Sequence, residues 1–207
     1  MSPAEELATC QAALAGALGE APTVGGAAPD PAGAAAPAGD AWLEVPAARW
    51  REACRAARDL PELGFDFLRS LAGVDRPEAG RIDVVAHLFS YRHRRALVLR
   101  TSLERAAPEL DSVAQVWPAA DWHERELWDL LGVRLRGHPD LRRLLLPEDW
   151  PGHPLRKDWQ EPAEYRGIPT RREARATAGE LAKQTYLAPR GLGRDPAGGQ
   201  PDGGGGA

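Results

Sequence analysis

The chain has 207 residues, of which 43% are hydrophobic and 27% charged, with a formal net charge of -4. That is enough apolar material for one core domain with tails, and too acidic a balance for bulk nucleic-acid binding. Its two cysteines, Cys10 and Cys54, form no CxxC pair and cannot supply the four thiolates of an iron–sulfur cluster.

Pro3 to Leu18 reads as a short helix, with Leu7, Leu14 and Leu18 near one face. Glu5 and Glu6 are unlike the start of a signal peptide. Residues 19–40 are nearly all Ala, Gly and Pro and read as a flexible spacer, because they bury too little to offset chain entropy. A core domain is expected over 41–136. Trp42 to Val45 reads as a strand, and Pro46 suits the first position of a helix whose buried stripe is Trp50, Ala53, Cys54 and Ala57. Ile82 to Phe89 and Ala96 to Thr101 read as two strands of an antiparallel hairpin, with His87 as a hydrogen-bonded structural residue. Pro118 to Leu131 reads as a helix. Asp121 is its expected N-cap, with Glu124 in a capping box, Arg125 and Asp129 paired at i,i+4, and Leu127, Leu130 and Leu131 buried. Gly132 is placed to end it in a left-handed turn.

From residue 137 onward, Pro and Gly interrupt any long element, and only Asp140 to Leu146 has room for a turn or two of helix. Yet this stretch keeps Leu141, Leu144, Leu145, Leu146, Trp150, Leu155 and Trp159. Apolar anchors in a chain too broken to fold by itself predict a segment, 137–190, laid along a partner. Residues 191–207 are Gly-rich and are expected to be a disordered tail. No stretch reaches the roughly 18 apolar residues of a membrane span, so any membrane contact would come through another subunit.

Two Gly-His-Pro triplets stand at Gly137–Pro139 and Gly152–Pro154, each followed by a basic pair, Arg142–Arg143 and Arg156–Lys157. His123, His138, His153, Glu124, Glu126, Asp140 and Asp158 are available to a metal, but nothing has the HExxH spacing of a helical zinc site. A metal-dependent hydrolase using the three histidines is the distant alternative. Glu124 and Glu126 lie two apart and point away from each other on a helix, so pairing with arginines is their simpler role. Arg interleaved with Trp and Leu has the composition of a protein–protein hot spot.

The runs Glu124-Arg-Glu-Leu-Trp-Asp-Leu-Leu-Gly-Val133, Gly137-His-Pro-Asp-Leu-Arg-Arg-Leu-Leu-Leu-Pro-Glu-Asp-Trp150 and Gly152-His-Pro-Leu-Arg-Lys-Asp158 closely resemble the C-subunit family of respiratory complex I, NADH–quinone oxidoreductase. Gly64–Leu68 running on to Asp75, His87–Ser90 and Asp111–Trp122 agree with the same pattern, and the resemblance covers residues 41–169. The motif residues are Glu124, Arg125, Glu126, Asp129, Gly132, Gly137, Pro139 and Asp140. Leu131 departs from the family's usual Phe. The resemblance implies an α+β fold: a mixed or antiparallel sheet with packed helices, then an extended C-terminal segment wrapping a partner. It implies no catalytic residue, cofactor or metal in this chain, while the holoenzyme carries FMN, iron–sulfur clusters, NADH and quinone. The implied partners are other peripheral-arm subunits of complex I, especially the D subunit and the one with the terminal iron–sulfur cluster, on the cytoplasmic side of the inner membrane. Trp150, Leu155 and Trp159 are the expected interface anchors. Arg142, Arg143, Arg156, Lys157 and Asp158 are expected as interface charges, and His138 and His153 as hydrogen-bonded turn residues. Related subunits of membrane-bound hydrogenases or of dehydrogenases with other donors share the fold and are the nearer alternative.

Overall fold

The computed structural model describes residues 3–26 and 41–170. They fall in two compact units, Met1–Glu161 and Pro162–Ala207. Residues 27–40 of the expected spacer, 171–190 of the expected partner-binding segment and the expected tail 191–207 lie outside the described residues.

The first unit is organised by a five-stranded mixed sheet in the order β1-β2-β5-β4-β3. Strands β4 (Arg81–Ser90) and β5 (Arg95–Glu104) form the long antiparallel hairpin, paired from Arg81↔Glu104 to Ser90↔Arg95. Alternation puts Ile82, Val84, Ala86, Leu88, Leu97, Leu99 and Leu103 on one buried face. Strand β2 (Trp42–Glu44) joins β5 in parallel at Leu43↔Leu99. Inside the stretch expected to be a spacer, Thr23–Gly25 forms strand β1 and pairs antiparallel with β2. Backbone hydrogen bonding to an existing edge orders this piece, which has little side chain to bury.

Strand β3 (Phe67–Arg76) completes the other edge and was not expected as a strand. Its Ala, Gly and Asp are poor strand formers, and a bulge between Leu68 and Ser70 breaks the alternation that would have marked it. Gly73 sits where α3 (Ala120–Leu131) crosses the strand: a Cβ there would lie 2.4 Å from Leu131 Cδ1 and 2.8 Å from Leu127 Cδ2. Only a residue without a side chain permits that approach.

Helix α1 (Pro3–Leu18) buries Cys10, Leu14 and Leu18. A short 3-10 turn, Ala47–Arg49, follows Pro46 and leads into α2 (Trp50–Asp59). There Trp50, Ala53, Cys54 and Ala57 are buried at i, i+3, i+4 and i+7, as the stripe predicts. Strands β6 (Glu109–Asp111) and β7 (Arg134–Arg136) pair in parallel on either side of α3 in the chain.

Helix α3 departs from expectation at three points. Its N-cap is Ala119, with no side-chain capping bond, so Asp121 and Glu124 do not form a capping box. The turn at Trp117–Pro118 starts the helix instead, with the Ala120 amide bonded to the Trp117 carbonyl at 2.9 Å. Arg125 and Asp129 do not pair with each other; each is buried and bonds the segment that follows β7. Leu130 is half-buried, while Leu127 and Leu131 are buried. Asp140 to Leu146 contains no helix.

In the second unit, β8 (Glu164–Tyr165) and β9 (Ile168–Pro169) form a small hairpin. Its turn residues Arg166 and Gly167 have φ of 50° and 78°, the positive pair that a tight hairpin turn of matching twist requires.

Candidate functional site

Residues 137–161 form the part of the chain that the sequence marks for function. They belong to the first compact unit. Their anchors are polar groups of their own chain, too far apart in sequence to be paired by inspection.

Asp129 is the centre. Its carboxylate is 0% exposed, and Oδ2 accepts three consecutive amides, those of Leu144, Leu145 and Leu146, at 3.1, 2.8 and 3.0 Å. Three amides on one oxygen make an anion nest that replaces the expected helical turn. Oδ1 receives Arg143 Nη1 at 2.9 Å. Burial pushes the Asp129 carboxyl up, but the amides and Arg143 outweigh it and hold it below the usual range. Arg143 also donates to the Trp150 carbonyl at 3.0 Å. One turn earlier, Arg125 donates to the carbonyls of Arg142 and Arg143, both at 3.2 Å, and lies 5.2 Å from the Trp122 ring centroid.

The C-terminal end of α3 is held the same way. Arg156 Nε donates to the Leu131 carbonyl at 2.8 Å, and the Leu155 amide to the Leu130 carbonyl at 3.0 Å. His153 Nδ1 bonds the Asp129 carbonyl at 2.9 Å. These groups satisfy carbonyls that a helix end otherwise leaves unpaired, and Arg156 adds favourable charge. Gly132 turns the chain with φ of 75°, and a Cβ there would lie 2.6 Å from the His153 ring.

A third anchor was missed by sequence reasoning. Asp75 of β3 is buried and binds Arg105 Nε at 2.7 Å, while its Oδ2 accepts the Lys157 amide at 2.8 Å. Arg105 also holds Asp158 at 2.6 Å. The hydrogen bond from Arg105 holds the Asp75 carboxyl below its usual range despite burial, and a second hydrogen bond from Arg105 lowers Asp158. Asp75 closes the family-like segment that opens at Gly64 but lies in an unrecognised strand, and Arg105 sits just past β5 in no motif. The weak signal available was a lone acid on an otherwise apolar face.

Glu124 faces the core side of α3 and is 0% exposed. Its Oε2 accepts the Ser112 hydroxyl and its Oε1 the Val113 amide, both at 2.5 Å. The expected arginine partner is thus replaced by a loop hydroxyl and amide. Burial pushes the carboxyl up, and the two hydrogen bonds only partly offset it. His138 Nε2 lies 3.8 Å from Glu124. The Asp140 amide donates to His138 Nδ1 at 3.0 Å, and Nε2 faces the Asp121 carbonyl at 3.2 Å. Cys54, also fully buried, has its thiol pushed well up by burial, with Glu124 adding to the effect.

The remaining expected residues divide by exposure. Trp150 and Trp159 stack on each other with centroids 6.4 Å apart, and Trp159 Nε1 donates to the Pro151 carbonyl at 2.9 Å. Leu155 is 50% exposed and Leu145 62%. Arg142 pairs with Asp140 at 2.7 Å on the surface. Glu126, Gly137, Pro139, Lys157 and Asp158 are exposed. His123, His138 and His153 are not brought into a shared set, and among the described residues no group of three or more His, Cys, Asp or Glu is arranged to hold a metal. No helix among the described residues is long and apolar enough to cross a membrane.

Comparison with known proteins agrees with this architecture. The chain is 44% identical over 123 residues to a protein of Chlorobium phaeobacteroides named as the C subunit of NADH-quinone oxidoreductase, covering 58% of this chain and 73% of the relative. It is 47% identical over 122 residues to the protein of the same name from Acidothermus cellulolyticus, covering 56% and 64%. A chain in the structure of the membrane-bound sulfane sulfur reductase, an archaeal respiratory membrane complex, shares the fold with a TM-score of 0.57 at 20% identity, covering 94% of this chain and 98% of that one. The family model described as "Respiratory-chain NADH dehydrogenase, 30 Kd subunit" matches residues 43–165, which take in the sheet, α3 and the anchored segment. The chain belongs to that family, whose members are the C subunits of NADH-quinone oxidoreductase.

Proposed function

We propose that the chain is a cofactor-free scaffold subunit in the peripheral arm of a proton-translocating NADH–quinone oxidoreductase. In that enzyme FMN and iron–sulfur clusters carry electrons from NADH to quinone; this chain performs no redox step and presents a shaped surface to the subunits that do. The proposed neighbours are the D subunit and the subunit holding the terminal iron–sulfur cluster, with the assembly on the cytoplasmic side of the inner membrane.

The observation that carries this reading is the sidedness of residues 137–161. Buried anchors face α3 and β3, while Leu145 and Leu155 are 62% and 50% exposed. Large apolar groups on a segment already held in place form a preorganised ridge. Preorganisation favours association because less chain entropy is lost when the partner docks. Arg142, Lys157 and Asp158 fit the polar rim of such an interface.

Arg156 tests the reading. Because its guanidinium holds the end of α3 rather than projecting outward, Arg156→Ala is expected to loosen the ridge and lower the amount of assembled oxidoreductase. Turnover per assembled complex should stay the same. Normal assembly with lost quinone reduction per complex would instead place this chain in the chemistry.

A further inference from the structure

The β4–β5 turn is built as a rigid, unsatisfied cationic patch. Its path is held from several sides. Asp66 Oδ1 accepts the Tyr91 amide at 3.1 Å, Ser90 Oγ accepts the His93 amide at 3.2 Å, His93 Nε2 meets the Pro61 carbonyl at 2.9 Å, and Arg95 donates to the Glu62 carbonyl. Arg94 is fixed with φ of 54°. On this frame Arg69, Arg92 and Arg94 are exposed, and none has an ion-pair partner among the described residues. Beside them Tyr91 is 62% and Phe67 43% exposed, packed with Phe89 at centroid distances of 5.6 Å (Phe67–Tyr91) and 5.2 Å (Phe89–Tyr91). Arg69, His87 and Ala96 also line a cleft of about 320 Å³, together with Glu6 and Leu7.

We propose that this patch docks an acidic segment of another protein subunit, one bearing two or more carboxylates beside an apolar side chain; this rests on the chain working within a respiratory assembly. Fixed aromatics flanked by arginines have the composition of interface hot spots. The unpaired guanidinium forks match carboxylates, and the hydrogen-bonded turn beneath them limits the backbone entropy lost on docking. The chain's net charge of -4 disfavours an extended anionic surface such as a membrane or nucleic acid, whose field is felt over the whole protein. A short acidic segment responds to charges within about one screening length, about 8 Å at physiological ionic strength.

The test is a photo-cross-linking residue, p-benzoylphenylalanine, in place of Tyr91 in the full chain, irradiated in the intact complex and read by mass spectrometry. A cross-link into an acidic stretch of another subunit is expected, with yield falling about tenfold when Arg92→Glu and Arg94→Glu are added. Arg92→Gln with Arg94→Gln carries the test if the glutamates lower the Tm. Cross-links only to this chain itself, to lipid or to nucleic acid, or none at all, in a complex that still contains the chain, overturn this proposal alone. A chain absent from every respiratory assembly overturns the proposed function with it.

Discussion

Replacing Asp129 by asparagine asks what holds residues 137–161 in place. The carboxylate accepts three amides on one oxygen and Arg143 on the other. Asparagine keeps one oxygen and adds an NH2 group. If the oxygen faces the amides, the NH2 faces the guanidinium of Arg143, whose side chain is 15% exposed. If it faces Arg143, three buried amides meet a donor. Either arrangement breaks a buried charged contact by changing one partner, a loss of about 3–5 kcal/mol. This loss falls first on local opening of the segment and only partly on global unfolding. Amide hydrogen exchange of the intact chain therefore reads it best: Leu144, Leu145 and Leu146 should exchange roughly 150- to 5000-fold faster in Asp129→Asn. Amides in β4 and β5 should change far less. Wild-type exchange at the three leucines would refute the account, since it would mean the apolar contacts alone set the path. The pH dependence follows from the same contacts. Asp129 and Asp75 both have lowered values in the folded chain. Their stabilisation is present above the ordinary aspartate value of about 3.9 and is lost as pH falls through the lowered folded values. The segment should therefore open in acid.

Glu124 has the opposite sign. Its folded value is raised, so the fold favours the neutral carboxyl. That contribution is complete below the ordinary glutamate value and is lost as pH rises through the raised one. Glu124→Gln is expected to be tolerated and to flatten the stability profile on the neutral side, measured by urea unfolding across pH; a large loss of stability in the variant at neutral pH, absent in acid, would show that the charged form is the one required. Gly132→Ala combines a left-handed backbone with a Cβ placed 2.6 Å from the His153 ring. The left-handed conformation alone costs about 1–2 kcal/mol. The variant should lower thermal stability and weaken protection of the Leu155 amide, and an unchanged Tm would mean the turn can be rebuilt without glycine.

Local pattern carried much of this protein into view. The stripe on α2, the β4–β5 hairpin and the glycine stop after α3 follow from periodicity and turn chemistry within a few residues, and they are where the sequence indicates. The long motif around Glu124–Asp158 identified the family by itself, because its identities have no periodic reason to recur. What tertiary structure decided are the partners of charged groups. Glu124 and Asp129 look alike on a helix diagram, as acids near arginines. One is buried against Ser112 and Val113 with its carboxyl pushed up, and the other is wrapped by three amides with its carboxyl held down. Asp75 and Arg105, thirty residues apart, meet only because β3, whose glycine and bulge hide it from pattern reading, pairs with β4. A carboxylate's environment is set by whichever chain segments fold around it, and that depends on contacts distant in sequence. Residue type and spacing fix the helix or strand a group sits on, while the long-range packing of those elements fixes which partners it meets.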